Sequence, residues 1–231
     1  MPLQFDADLA KVKKTLLRMG AIAEQMIRDM NAVLINPTEE PLAVIYRNEQ
    51  ELDRLQIQLD EESIRLIGVY TPVAGDLRLL LMVTRINAEI ERIGDKIVDI
   101  GHHVENFLQN RSARSLIDFS HVATVAEKML HDALGAFTDR SADQAAAVIR
   151  SDDEVDHMTD QTFRVLFTHM FDSPPAIAYI LGLMLTAQAL ERIADHAVNI
   201  AEDVIYMVKG EDVRHLHSGK KGGDKEERAA Q

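Results

Sequence analysis

Apolar positions along this chain recur in alternating steps of three and four. Leu9, Val12, Leu16, Met19, Ala23, Met26, Met30 and Val33 follow that spacing without a miss, which places them on one coiled-coil-like stripe of a helix. The helix is expected to stop near Asn36-Pro37, because proline restricts the residue before it. A second helix is predicted from just after Pro41 to about Ile67, with Tyr70-Thr71-Pro72 as its break. A third runs from about Asp76 to Leu108, roughly 50 Å at 1.5 Å per residue. A fourth is expected near Phe119–Phe137, and a fifth begins at Ser141, where Gln144 three residues on suggests a capping box. It ends at Asp172-Ser173-Pro174-Pro175, and a sixth continues to about Val208. Long helices joined by short turns predict an all-α antiparallel bundle.

The pattern also repeats. Glu91-Arg92-Ile93-Gly94-Asp95 returns as Glu191-Arg192-Ile193-Ala194-Asp195, and Val98 and Ile100 return as Val198 and Ile200. On the second and fifth helices, Glu49, Leu52 and Asp53 correspond to Asp152, Val155 and Asp156. Two acidic patterns in the same order, each after a proline-rich break, define a tandem pair of three-helix units. The polar stretch from Gln109 to Ser115 divides them, so one bundle is expected over residues 1–112 and the other over 113–209. Residues 210–231 are rich in Gly, Lys and Glu and lack periodicity, and are expected to be a disordered tail.

Composition narrows the function. The formal net charge is −13, which argues against a nucleic-acid partner, since phosphate backbones are bound by clustered Lys and Arg. The chain has no cysteine, which excludes disulfides, thiolate metal sites and Cys nucleophiles. Residues 1–14 mix acids and bases, so no secretory signal is expected. The longest apolar stretch, Ile177 to Leu190, is too short to span a bilayer and reads as a deeply buried helix segment. A cytoplasmic protein is expected.

The candidate chemistry lies in carboxylates spaced one helical turn apart. Each half carries two such pairs: Glu49/Asp53 with Glu91/Asp95, and Asp152/Asp156 with Glu191/Asp195. Asp99 extends the row in the first half, and Asn199 takes its place in the second. Like charges at this spacing cost a helix about 0.2–0.5 kcal/mol per pair. Asp152 and Asp156 fall within the apolar stripe of their helix, and Glu49 and Asp53 lie at the edge of theirs. On the third and sixth helices a second apolar face, Leu77, Leu80 and Leu81 or Ile177, Ile180, Leu181 and Met184, turns acidic further along. If the acidic helices of one half pack side by side, four carboxylates converge, an arrangement suited to iron(III), manganese, magnesium or calcium. His102 and His196 lie near the same face and would widen the choice toward zinc.

Two other readings compete. Acidic helix faces are commonly solvated, and Arg92, Lys96 and Arg192 stand close enough in sequence to pair with some of these acids, which leaves a purely structural helical-bundle protein. A ferritin-like di-metal carboxylate enzyme would need two Glu-x-x-His motifs. Glu154-Val155-Asp156-His157 supplies one, and the repeat has no second. Gly-rich phosphate loops, G-x-S-x-G elbows and H-E-x-x-H are absent.

The duplicated Glu91–Asp95 and Glu191–Asp195 motifs resemble the signature of the PhoU family, accessory regulators of the bacterial phosphate-specific transport system. Pro72-Val73-Ala74-Gly75-Asp76-Leu77-Arg78, Tyr206-Met207-Val208-Lys209-Gly210 and Arg214-His215 support the likeness, which spans nearly the whole chain. The resemblance implies two three-helix bundles related by pseudo-twofold symmetry. It implies multinuclear metal sites, with iron or zinc as occupants, at Glu49, Asp53, Glu91, Asp95, Asp99, Asp152, Asp156, Glu191 and Asp195. Ala194 in place of the more usual glycine, and Asn199 in place of an Asp, set the second site apart. It also implies a non-enzymatic adaptor that joins the ATPase of a phosphate ABC transporter to a membrane-bound sensor histidine kinase and restrains the starvation response when phosphate is plentiful. A homodimer is expected, peripheral to the membrane through its partners only.

Overall fold

The computed structural model describes residues 2–36, 38–108, 117–172 and 176–214. Six helices follow one another: α1 (Pro2–Ile35), α2 (Glu39–Tyr70), α3 (Ala74–Leu108), α4 (Ser120–Asp139), α5 (Ala142–Asp172) and α6 (Ile177–Lys209). All eight residues of the first predicted stripe, from Leu9 to Val33, are buried. The stripe is therefore the core face of α1, as its spacing requires. Helix α2 starts two residues before Pro41, where a proline within the first turn removes no intrahelical hydrogen bond. It ends where Thr71 takes a left-handed conformation (φ 46°) and donates its N–H to Ile67 O at 3.0 Å. Pro72 then bars continuation.

The expected capping box at α5 forms by half. Ser141 Oγ accepts the N–H of Gln144 at 3.3 Å, but the Gln144 side chain donates to Asp139 instead of returning to Ser141. The Ser141 N–H is already spent on Ala136 O.

Helices α1, α2 and α3 pack on one another, as do α4, α5 and α6, and the halves meet through α1 against α4 and α3 against α6. Both contacts are antiparallel. Arg28 meets Glu127 and Glu24 meets His131 across the first, while Arg85 meets Asp203 and Glu89 meets His196 across the second. The fold is thus two tandem three-helix bundles whose cores merge into one apolar cluster. Helices α2 and α5 lie on the outside, α2 packed on α1 and α3 and α5 packed on α4 and α6. The expected division at 112/113 falls outside the described residues, as do His215 and the stretch 215–231.

One expectation is corrected. The run Ile177–Leu190 was read as deeply buried, yet Ile177, Leu181 and Leu185 are exposed on one face of α6 while Ile180, Leu183 and Ala187 are core. Among the described residues α6 is also the one helix long and apolar enough, by length and composition alone, to cross a membrane. Its remaining faces pack on α3, α4 and α5.

Candidate functional site

The acids of the first half come together. Glu49 and Asp53 on α2 face Glu91 and Asp95 on α3; Glu49, Asp53 and Glu91 are half-buried and Asp95 sits at the solvent edge. Burial raises the pKa of Glu49, and the charges of Asp53 and Asp95, with a hydrogen bond to Asp53, raise it further. Glu91 is raised by burial and then by Asp95 and Asp53, and Asp95 by burial and then by Asp53, against the pull of Lys96. Each of these carboxyls therefore resists ionising partly because of acids on the neighbouring helix. Asp99 adds its charge to Asp95 and is itself held 2.6 Å from Lys96.

The second half is built differently. Asp152 is buried on α5, and Asp156, Glu191 and Asp195 are half-buried. Arg192 donates to Asp195 at 3.0 Å, so one motif acid is already partly neutralised. Arg92, the corresponding residue of the first half, instead pairs with Glu89 at 2.7 Å and reaches Glu91 only through its charge. Among the described residues no three acidic or histidine side chains close around a single point tightly enough to hold one ion. The donor set itself is all oxygen and mutually repelling in the first half, which fits a hard cation.

The histidines go elsewhere. His102 stacks on the Tyr46 ring with centroids 5.5 Å apart and lies 3.6 Å from Glu105. His196 Nδ1 lies 2.8 Å from Glu89 Oε2, in the seam between α3 and α6, where its charge also reaches Asp95. The Glu154/His157 pair of the ferritin-like reading is exposed: Glu154 approaches His121 at 3.5 Å, and His157 Nδ1 lies 2.6 Å from Asp153 O.

A volume exchange accompanies the two motifs. A methyl group on Gly94 would lie 2.8 Å from Leu52 Cδ1, closer than a packed core tolerates. In the repeat of the second half Ala194 corresponds to Gly94, and Val155, a shorter side chain, corresponds to Leu52. The two changes run in opposite directions in volume, a larger residue on the motif helix and a smaller one on the outer helix.

Sequence reasoning missed the seam. Asn199 Nδ2 donates to Glu89 Oε2 at 2.9 Å, and Arg85 Nη2 lies 2.9 Å from Asp203 Oδ1, with Asp203 2% exposed. Burial opposes ionisation of Glu89, yet the hydrogen bonds from His196 and Asn199 together outweigh it and hold its pKa low. The available signal was a polar row on α3 (Arg85, Glu89, Arg92 and Lys96) in a phase otherwise suited to packing.

These features define a class: a duplicated, acid-lined helical bundle in which each half pairs a motif helix with an outer helix. The PhoU domain model matches residues 16–104 and 119–204. A phosphate-specific transport system accessory protein PhoU homolog from Pseudomonas aeruginosa is 34% identical over 214 residues, covering 92% of this chain and 88% of that protein. The PhoU accessory protein of Escherichia coli is 30% identical over 221 residues, covering 96% and 90%. The crystal structure of PhoU from Pseudomonas aeruginosa superposes with a TM-score of 0.86 at 32% identity, covering 90% of this chain and all of that one. A phosphate transport regulatory protein PhoU from Streptococcus pneumoniae, 23% identical, shares the fold with a TM-score of 0.83, covering 90% of this chain and 99% of that one. This chain belongs to the PhoU family.

Proposed function

We propose that this chain is a non-enzymatic cytoplasmic regulator of phosphate uptake that binds cations at its acidic clusters. In this reading it links a phosphate ABC transporter's ATPase subunit to a sensor histidine kinase, restraining the starvation response when phosphate is plentiful. Relatives covering more than nine-tenths of the chain carry names of accessory proteins of phosphate-specific transport, which supports the regulatory role. The observation that carries the cation reading is the clustering of four carboxylates from two helices, in which the pKa values of Glu49, Glu91 and Asp95 are raised by burial and by the charges of their acidic neighbours, Asp53 among them.

The bound ions, iron or zinc in multinuclear form, or manganese, magnesium or calcium, would supply positive charge that offsets this repulsion. Glu49, Asp53, Glu91 and Asp95, with Asp99 beyond them, would hold ions in the first half, and Asp152, Asp156, Glu191 and Asp195 in the second. The carboxylates then draw α2 to α3 and α5 to α6, stiffening each bundle into a surface on which partners dock. A homodimer fits this use.

Elemental analysis of protein purified without chelators tests the cation reading. Bound metal in the native chain and none in a chain carrying E91A, D95A, E191A and D195A is expected, and stoichiometric metal retained by that variant removes the assignment. A pull-down from phosphate-replete cells tests the adaptor reading. It is expected to recover the transporter ATPase and the sensor kinase, and recovery of neither ends that reading.

A further inference from the structure

The two halves differ where the motif helix meets the outer helix, one turn away from the acids. In the first half Asn87 on α3 is fully buried and its amide reaches across to α2. Its Nδ2 donates to Gln56 O at 3.1 Å and to Asp60 Oδ1 at 2.9 Å. Both partners are acceptors, so the amide nitrogen is the atom that fits between them. The amide oxygen is left buried without a hydrogen bond, as is the hydroxyl of Ser63, three residues beyond Asp60. In the repeat, Ala187 corresponds to Asn87, and Thr159, Phe163 and Leu166 correspond to Gln56, Asp60 and Ser63. Phe163 and Leu166 belong to the apolar packing there, and Ala187 has no polar group to offer α5.

A buried amide with an unpaired oxygen is a poor way to hold a core together, since an apolar residue packs at lower cost. What Asn87 adds is direction. Hydrophobic contact is non-directional, whereas two hydrogen bonds from one amide fail after a shift of less than about 1 Å. The level they fix is the one the acids need. Asn87 lies one turn before Glu91 on α3, and Gln56 and Asp60 follow Asp53 by three and seven residues on α2. Glu49, Asp53, Glu91 and Asp95 repel one another across this interface. Without an ion, that repulsion favours moving α2 away from α3 or along it. The Asn87 bonds oppose both movements.

We propose that Asn87 is a positioning residue for the first-half cluster, an inference that rests on the cation reading. It locks α2 level with α3, keeps Glu49 and Asp53 beside Glu91 and Asp95 before any ion arrives, and makes the first half the tighter of the two cation sites. In the second half an arriving ion must itself fix α5 against α6, and must compete with Arg192 for Asp195. A site formed in advance binds more tightly because less ordering accompanies binding.

Mn(II), a hard ion suited to oxygen donors, is the probe in a calorimetric titration of the full chain. The chain carrying E191A and D195A, which keeps only the first cluster, is expected to bind it more tightly than the chain carrying E91A and D95A. The reverse order overturns the proposal. Adding N87A is expected to weaken the first of these chains by roughly tenfold or more, the usual effect of removing a group that orients metal ligands, and to leave the second unchanged. Asp60 separates position from charge. D60N keeps an acceptor for the Asn87 amide and is expected to stay within about twofold of its parent, while D60A weakens binding by about three- to tenfold. Equal losses in D60N and D60A make the Asp60 charge the cause and overturn the clamp; this pair decides the matter where N87A fails to fold.

A second readout needs no ion. The chain has no cysteine, so nitroxides on I57C and L81C, at exposed positions of α2 and α3, report the distance between those helices by double electron–electron resonance. A narrow distribution is expected with Asn87 present and a broader or shifted one with N87A. Identical distributions overturn the proposal. A native chain that binds Mn(II) with N87A indistinguishable from it ends this inference alone, whereas a native chain that binds no Mn(II) ends the cation reading and this inference together.

Discussion

Asn199 donates its side-chain amide to Glu89 across the seam, at 2.9 Å, from the position where the first half carries Asp99. The two halves differ here in a matched way. Glu89 has Ala189 as its counterpart one repeat on, so Asp99 meets no such acid and pairs with Lys96 on its own helix. An aspartate at 199 would set two carboxylates at hydrogen-bond distance in a half-buried seam. N199D is therefore expected to destabilise the fold by about 1–3 kcal/mol in denaturant unfolding, and E89Q in the same chain to recover most of the loss.

Gly94 and Leu52 make a second matched pair. G94A is expected to cost about 1–3 kcal/mol by overpacking, and L52V, which imitates the Val155–Ala194 arrangement of the other half, to relieve it. A double-mutant cycle in urea checks this; additive effects would remove the packing account.

Asp203 sets a slope of stability with pH. Its folded pKa of about 7 lies above the ordinary 3.8, so the folded state binds the proton more tightly. Stability is then highest below about pH 4 as far as this group is concerned, and falls as pH rises toward 7, by on the order of 4 kcal/mol. D203N is expected to flatten that slope in unfolding measured across the window. Glu49, Glu91 and Asp95, raised in the same direction, leave a smaller residue of it.

Asp8 acts in the opposite sense. Hydrogen bonds from Arg65 and Lys11, with another from Tyr70, hold its pKa at about 2, clamping the start of α1 to the end of α2. The stability it contributes is present above about pH 4 and is lost as pH falls toward 2. D8N is expected to lower the melting temperature at neutral pH and to lose less on acidification than the native chain.

The acidic cluster of the first half predicts a reversal on adding cation. Without divalent or trivalent ions, E91Q is expected to melt higher than the native chain, because one repelling charge is gone. With such an ion in excess, the native melting temperature is expected to rise and that of the variant to rise less. Equal shifts in both would place the ion elsewhere.

Much of this architecture was legible in the sequence because helical periodicity is a local property. The stripe from Leu9 to Val33, the breaks at Pro37 and Pro72, and the two motif helices needed only the spacing of apolar residues and prolines. The exposed face of α6 was misread because a run of apolar residues does not say which side of the helix meets a neighbour. Leu181 and Leu183 look alike in sequence, and only packing separates them. The partner of His196 was equally hidden: its ring meets Glu89 across the seam while its charge still reaches Asp95.

By itself, the sequence determined six helices, their duplication and the candidate acids, since these follow from periods of three to four residues and a repeat of about one hundred. Tertiary structure decided which charges meet: that Glu49, Asp53, Glu91 and Asp95 share one field, that Arg192 guards Asp195 while Arg92 turns to Glu89, and that Asp203 is buried against Arg85. The reason is physical. Helix formation is governed by neighbours along the chain, whereas a carboxylate's charge depends on groups more than a hundred residues away that packing brings within a few ångströms.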